Sequence, residues 1–200
     1  MTDEQYMKMA LKLAARGRGY ASPNPMVGAV IVKNGKIIGQ GYHACCGENH
    51  AEVNAIQNAT EDVEGSTLYV TLEPCCHHGK TPPCTDLIIR HKISRVVIGP
   101  ADANPLVSCR GMSCLQGAGI EVVSGVLEQE CRRLNEVFFH FMETGQPFVT
   151  VKYAQTLDGR IATASGQSQW ISSPASLNYA HQMRACHDAI LVGVGTVRAD

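Results

Sequence analysis

Residues 27–42 read Val27-Gly28-Ala29-Val30-Ile31-Val32-Lys33-Asn34-Gly35-Lys36-Ile37-Ile38-Gly39-Gln40-Gly41-Tyr42. The β-branched run over 27–33 predicts a strand. Asn34-Gly35 favours the left-handed backbone of a tight hairpin, and 36–42 predicts the returning strand. Upstream, Tyr6, Met9, Ala10, Leu13 and Ala14 fall near helical spacing, so residues 3–18 predict an amphipathic helix stopped by Gly17 and Gly19. A loop, Ser22-Pro23-Asn24-Pro25, joins it to the hairpin. Downstream the pattern predicts helices at 50–58, 84–91 and 111–117, strands at 67–71, 95–98 and 120–123, and one long helix over 127–144. Helix, hairpin, then alternating helix and strand is the order of an α/β layered domain with helices packed on a mixed sheet. It occupies residues 1–145.

Gly145-Gln146-Pro147 then interrupts the chain. Strands at 148–154 and 189–194 and a helix around 173–186 are expected beyond it. This stretch of about 55 residues is too short to close a core of its own. Residues 146–200 therefore read as the opening of a second domain, incomplete at Asp200.

Composition narrows the function. Of 200 residues, 44% are hydrophobic and 18% charged, enough apolar material for a core and too little charge for a disordered chain. Lys plus Arg is 17, Asp plus Glu is 18, and the net charge is −1, so the basic footprint of a nucleic-acid binder is missing. No apolar run reaches the length of a membrane span. The N-terminus is acidic and polar before it turns apolar, the reverse of an export signal. Nine cysteines, an odd number, in a chain with this much core point to a reducing, cytoplasmic compartment. There thiols serve metals, catalysis or packing.

The chemistry concentrates in His50-Ala51-Glu52 and in Pro74-Cys75-Cys76-His77-His78-Gly79-Lys80-Thr81-Pro82-Pro83-Cys84. One imidazole and two thiolates from His50, Cys75 and Cys84 form a soft donor set suited to zinc. Three protein donors leave the fourth position that a catalytic zinc needs. A spacing of two would turn His50 and Glu52 apart on an ideal helix. It works if His50 stands at a helix start. Cys84, after two prolines, also opens a helix, where the dipole favours a thiolate. With zinc making water nucleophilic, Glu52 has the position of a proton shuttle rather than a ligand, and the reaction would be hydrolytic deamination. A closed structural zinc is the alternative, with Glu52 or Cys76 as fourth donor.

Zinc deaminases generally combine His-x-Glu with a Pro-Cys-x-x-Cys motif. Here eight residues separate Cys75 and Cys84. With that spacing, the chain resembles the bifunctional riboflavin-biosynthesis deaminase/reductase family. Pro23-Asn24-Pro25 with Val27-Gly28 carries the same resemblance. So do Lys152, Ala154, Leu157-Asp158-Gly159, Trp170-Ile171 and Asp188-Ala189-Ile190-Leu191-Val192-Gly193 in the second segment. The resemblance implies a three-layer cytidine-deaminase-like domain followed by the start of a dihydrofolate-reductase-like domain. It implies zinc-dependent removal of the 2-amino group of 2,5-diamino-6-(5-phosphoribosylamino)pyrimidin-4(3H)-one as ammonia. In the full-length protein, reduction of the ribose by NADPH would follow. No nucleic acid or membrane partner is implied, and a homo-oligomer is compatible with it.

By the same resemblance, Asn24, His43, His77, Lys80, Thr81, Asp102 and Asn104 would hold the pyrimidine phosphate. Ser168 and Arg184 would hold the sugar phosphate in the reductase part, and Ala154, Trp170, Thr196 and Asp200 the NADPH. The chain departs from the family at Cys76, where serine is commoner, and in Asp102-Ala103-Asn104-Pro105 and Ser108-Cys109-Arg110-Gly111. Two other readings stay open: a relative acting on a free base, a nucleoside or tRNA, and a noncatalytic zinc-stabilised module.

Overall fold

The computed structural model of the chain describes residues 1–77, 82–104 and 109–199. It divides into two compact units, Met1–Phe148 and Val149–Asp200. The first unit opens with α1 (Asp3–Ala14), whose N-terminus is closed by a reciprocal Thr2–Gln5 capping box. One tight turn, Ala15–Gly17, ends it. The hairpin follows as β1 (Gly28–Lys33) and β2 (Lys36–Tyr42). Asn34 and Gly35 both take positive φ, 51° and 75°, which the tight turn between paired strands requires. Then come α2 (Ala51–Gln57), β3 (Thr67–Val70), α3 (Cys84–Arg90), β4 (Arg95–Ile98), α4 (Arg110–Gly117) and β5 (Glu121–Val123).

The five strands lie in the order β2-β1-β3-β4-β5. β1 is antiparallel to β2 and β3, whereas β3–β4 and β4–β5 are parallel. The sheet is mixed, as expected, and buried on both faces. Alternate residues serve opposite cores, as a pleated strand dictates. Ala29, Ile31, Leu68, Val70, Val96 and Ile98 meet Ala51, Ala55, Ile88 and Leu115 of α2, α3 and α4. Val30, Val32, Tyr69 and Val97 meet Tyr6, Met7, Ala10 and Leu13 of α1. The result is three layers.

Two glycines of β2 set the depth of α2. A Cβ on Gly39 would lie 2.3 Å from the Ala55 carbonyl, and one on Gly41 would lie 2.4 Å from that of Ala51. The helix therefore rests on bare strand backbone, a close approach that only glycine allows.

The expected long helix over 127–144 is two helices, α5 (Glu128–Leu134) and α6 (Glu136–Thr144). Between them Asn135 leaves helical geometry, at φ −109° and ψ 30°. Its buried amide accepts from Met26 N at 2.8 Å and donates to Met26 O at 2.8 Å. That pairing with the loop before β1 explains the break. Asn54 of α2 similarly donates to the Tyr42 carbonyl at 2.9 Å.

The second unit contains α7 (Pro174–Ala185), capped by Ser173, and α8 (Val194–Ala199). The strands expected at 148–154 and 189–194 are not formed. A strand needs a ladder partner, and neither segment pairs among the described residues. Their apolar side chains stand exposed, Val151 at 78% and Leu191 at 100%. Among the described residues, no helix is long and apolar enough to cross a membrane.

One ion pair joins α1 to the sheet. Arg95 grips Asp3 through both carboxylate oxygens, at 3.0 and 2.8 Å, and Tyr69 donates to the same carboxylate at 2.8 Å. The Arg95 guanidinium holds the Asp3 carboxyl below its ordinary pKa. A lowered carboxyl stabilises the fold above its unfolded pKa of about 3.9, and that contribution disappears as pH falls through the folded value. The pair is partly solvated, so Asp3→Asn is expected to cost about 1 kcal/mol at pH 7. The difference from wild type should shrink towards zero near pH 2. Urea unfolding of both proteins at the two pH values checks this; an equal gap at both would contradict it.

Candidate metal centre

His50 is the N-cap of α2, with extended backbone at φ −68° and ψ 163°. This resolves the spacing problem posed by His50-Ala51-Glu52. The imidazole leaves the chain before the helical twist begins, and Glu52 follows in the first turn, so the two groups reach the same place. Cys84 is the first residue of α3, after Pro83 at the cap. No side chain caps α3; instead its first N–H groups turn to Cys75. Cys84 N donates to Cys75 Sγ at 3.4 Å and Thr85 N to the Cys75 carbonyl at 3.2 Å. The free amides of the helix thus favour negative charge on that sulfur.

The donor atoms of His50, Cys75 and Cys84 all lie within 4.8 Å of one another. His50 Nδ1 is 3.3 Å from Cys84 Sγ and 3.6 Å from Cys75 Sγ. Zinc bonds of about 2.0–2.1 Å to nitrogen and 2.3 Å to sulfur would place such atoms about 3.6 Å apart along a tetrahedral edge. Donor set and edge lengths fit zinc. Neither Glu52 nor Cys76 joins the group among the described residues. The proposed four-donor structural site therefore lacks its fourth member there.

The electrostatics agree with a thiolate centre. The Cys75 thiol falls to a pKa of about 4, through hydrogen bonds from the Cys84 thiol, from His50 and from the Cys84 amide. Cys84 moves up, because it donates to Cys75 and is buried. His50 is raised by its hydrogen bond to Cys75. Glu52 is only 3% exposed. Burial first, and then the Cys75 charge, push its carboxyl above the ordinary range. A buried, readily protonated carboxyl beside a candidate metal triad is equipped to take and return a proton.

His43 adjoins this centre. It is buried and stands edge-on to His50, with ring centroids 5.6 Å apart. Its Nδ1 lies 3.1 Å from the Asn49 carbonyl and its Nε2 lies 3.1 Å from the Asn24 amide nitrogen. A carbonyl only accepts, so Nδ1 carries the proton and Nε2 accepts from Asn24. The structure thus brings Asn24, His43, His50 and Glu52 into one neighbourhood. Asp102 is half-buried and its carboxyl is raised chiefly by burial and by the nearby Glu73 and Cys75 charges, against the opposing pull of the Asn104 amide and His77. It accepts from Asn104 N at 2.8 Å, an Asx turn. His77 is exposed, and Lys80 and Thr81 lie outside the described residues.

The sequence reading missed two polar residues. Asn135 holds Met26, two positions from Asn24, and the helical periodicity around it carried no sign of this. Glu73 is 4% exposed and gathers backbone amides from the segment beyond β4. Only its place beside Pro74-Cys75 could have drawn notice.

In the second unit, Ala154 lines a concavity of about 500 Å³ between the 151–155 segment and α7. Trp170, Ser168, Arg184 and Thr196 are exposed and do not line it. Asp200 lies outside the described residues.

The chain belongs to the cytidine and deoxycytidylate deaminase family, whose zinc-binding region matches residues 1–100. The RibD C-terminal domain matches residues 147–200. More particularly, the chain is homologous along its whole length to riboflavin biosynthesis protein RibD. It is 54% identical over 200 residues to RibD of Actinobacillus pleuropneumoniae, covering 100% of this chain and 53% of that protein. It also matches a crystal structure of a diaminohydroxyphosphoribosylaminopyrimidine deaminase/5-amino-6-(5-phosphoribosylamino)uracil reductase from Thermotoga maritima. There the identity is 50% and the TM-score 0.94, over 99% of this chain and 57% of that one. A Rib2 deaminase of Aspergillus oryzae in complex with DARIPP is 25% identical with a TM-score of 0.55, over 71% of this chain and 94% of that one. The chain spans about half the length of the RibD relatives. A His/Cys/Cys group inside a zinc-binding deaminase domain supports Zn2+ as the metal.

Cys84→Ser is expected to bring bound zinc far below stoichiometric, whereas Cys76→Ser retains it. Metal analysis of the purified variants decides; full zinc in Cys84→Ser would contradict the donor assignment.

Proposed function

We propose that residues 1–145 form a zinc-dependent deaminase domain acting on the diaminopyrimidine phosphate of riboflavin synthesis. In this reading His50, Cys75 and Cys84 hold the zinc. The observation that carries it is the buried Glu52 carboxyl, raised by burial and set beside a group of three donors among the described residues. The RibD relatives and the DARIPP complex of the Rib2 deaminase support the choice of substrate.

When bound, zinc supplies a Lewis acid that brings the pKa of water towards neutrality. Glu52 takes the proton that water sheds as its oxygen joins C2 of the pyrimidine. Glu52 passes that proton to the ring nitrogen doubly bonded to C2. It then takes the proton of the new C2 hydroxyl and hands it to the 2-amino nitrogen as the C–N bond breaks, so ammonia leaves and a C2 carbonyl beside a ring N–H remains. His43, its Nδ1–H held by the Asn49 carbonyl, orients Asn24 for the pyrimidine edge. Asp102 and Asn104 border the same centre. By the family resemblance, His77, Lys80 and Thr81 serve the substrate, with Lys80 as a point charge for the phosphate.

Residues 146–200 form the beginning of the NADPH-dependent reductase domain in the same reading. There Ala154, Trp170, Thr196 and Asp200 serve the cofactor and Ser168 and Arg184 the sugar phosphate. None of the nine cysteines is joined in a disulfide, which suits work in the cytoplasm.

Glu52→Gln is expected to lower kcat for ammonia release by about 10²–10⁴-fold, the usual contribution of a positioned acid–base group, while zinc stays bound. An ammonia assay on the phosphorylated diaminopyrimidine, run beside metal analysis, tests it. Undiminished turnover by the zinc-loaded variant would end this mechanism.

A further inference from the structure

We propose that Glu73 is a positioning residue that fixes the segment carrying Asp102 and Asn104 against the metal centre. Its side chain is 4% exposed, yet the mechanism above gives it no proton to move. A buried carboxylate must be paired or hydrogen-bonded. Glu73 Oε2 accepts from Asp102 N at 3.1 Å and from Cys109 N at 3.0 Å, and Oε1 accepts from Met112 N at 3.1 Å. Its own N–H donates to the Pro100 carbonyl at 3.2 Å. All these partners are main chain, on both flanks of one segment, so the group organises backbone.

The placement links two halves of the site. Two residues beyond Glu73 along the chain is Cys75. Asp102, held by Glu73 through its amide, holds Asn104 through its carboxylate. A second contact seals the junction. A Cβ on Gly111 would lie 2.2 Å from the Pro74 carbonyl and 3.1 Å from Glu73 Oε1, so the first turn of α4 rests directly on residues 73–74. The start of the metal loop and the segment around Asp102 thus move as one body.

The chemistry of the clamp makes it sensitive to one atom. Three N–H donors need acceptors on both oxygens. An amide offers one oxygen and one NH2, and the NH2 would face an N–H donor. Glu73→Gln therefore loses either the Met112 contact or the Asp102–Cys109 pair.

The kinetic part of this inference rests on the deaminase reading; the structural part does not. The experiment is amide hydrogen exchange by mass spectrometry on the zinc-loaded full chain, wild type against Glu73→Gln. Exchange across 101–112 is expected to accelerate roughly tenfold or more, as loss of charge-assisted hydrogen bonds implies. Exchange across 50–57 and 84–90, and the zinc content, should stay as in wild type. In parallel, KM for the phosphorylated diaminopyrimidine should rise about tenfold with kcat changed far less, a split that general destabilisation would not produce. If Glu73→Gln does not fold, Gly111→Ala is measured the same way, with the same local loss of protection expected. Unchanged exchange at 101–112, or a loss spread evenly over the domain, overturns the proposal. Absence of ammonia release by the wild-type chain overturns the proposed function alone, because the exchange result still decides the clamp.

Discussion

The site depends on two helix beginnings meeting over one sheet. α2 and α3 each start with a side chain of the candidate metal group, His50 at the cap of one and Cys84 at the first position of the other. The first N–H groups of α3, free of intrahelical partners, are directed at Cys75. Bare backbone at Gly39 and Gly41 lets α2 sink onto β2, and that depth carries Glu52 into a buried position beside the triad. The glycines, the helix starts and the raised carboxyl are links of one chain from sequence to chemistry.

Around this centre, loops are held by buried polar side chains rather than by apolar packing. Asn135 exchanges two hydrogen bonds with Met26, His43 bridges Asn49 and Asn24, and Glu73 collects three amides. Each satisfies main-chain groups that would otherwise be costly to bury. The consequence is a site whose walls are loops but whose geometry is set by fixed hydrogen bonds.

Much of this was legible in the amino-acid order. The hairpin announced itself through Asn34-Gly35 between β-branched runs. The candidate donors His50, Cys75 and Cys84 stood out through residue type and through the prolines before Cys84, and their donor atoms lie within 4.8 Å of one another. What stayed hidden has a common physical cause, dependence on distant partners. Asn135 looked like an ordinary helix position, because the bond that breaks the helix is to Met26, far away along the chain. Glu73 looked like a loop carboxylate for the same reason. The segments at 148–154 and 189–194 carry strand-forming residues, but propensity does not make a strand without a neighbour to pair with. His50 and Glu52 were reconciled only by the extended backbone at the cap, a detail that spacing alone leaves open.

The central claim is a zinc ion held by one imidazole and two thiolates with a position left open to solvent. X-ray absorption at the zinc edge of the loaded protein addresses it directly. The account predicts two sulfur neighbours near 2.3 Å and two lighter ones near 2.0–2.1 Å, one of which is replaced on adding a competing anion. Three or four sulfurs, or a shell that no added ligand can alter, would contradict it.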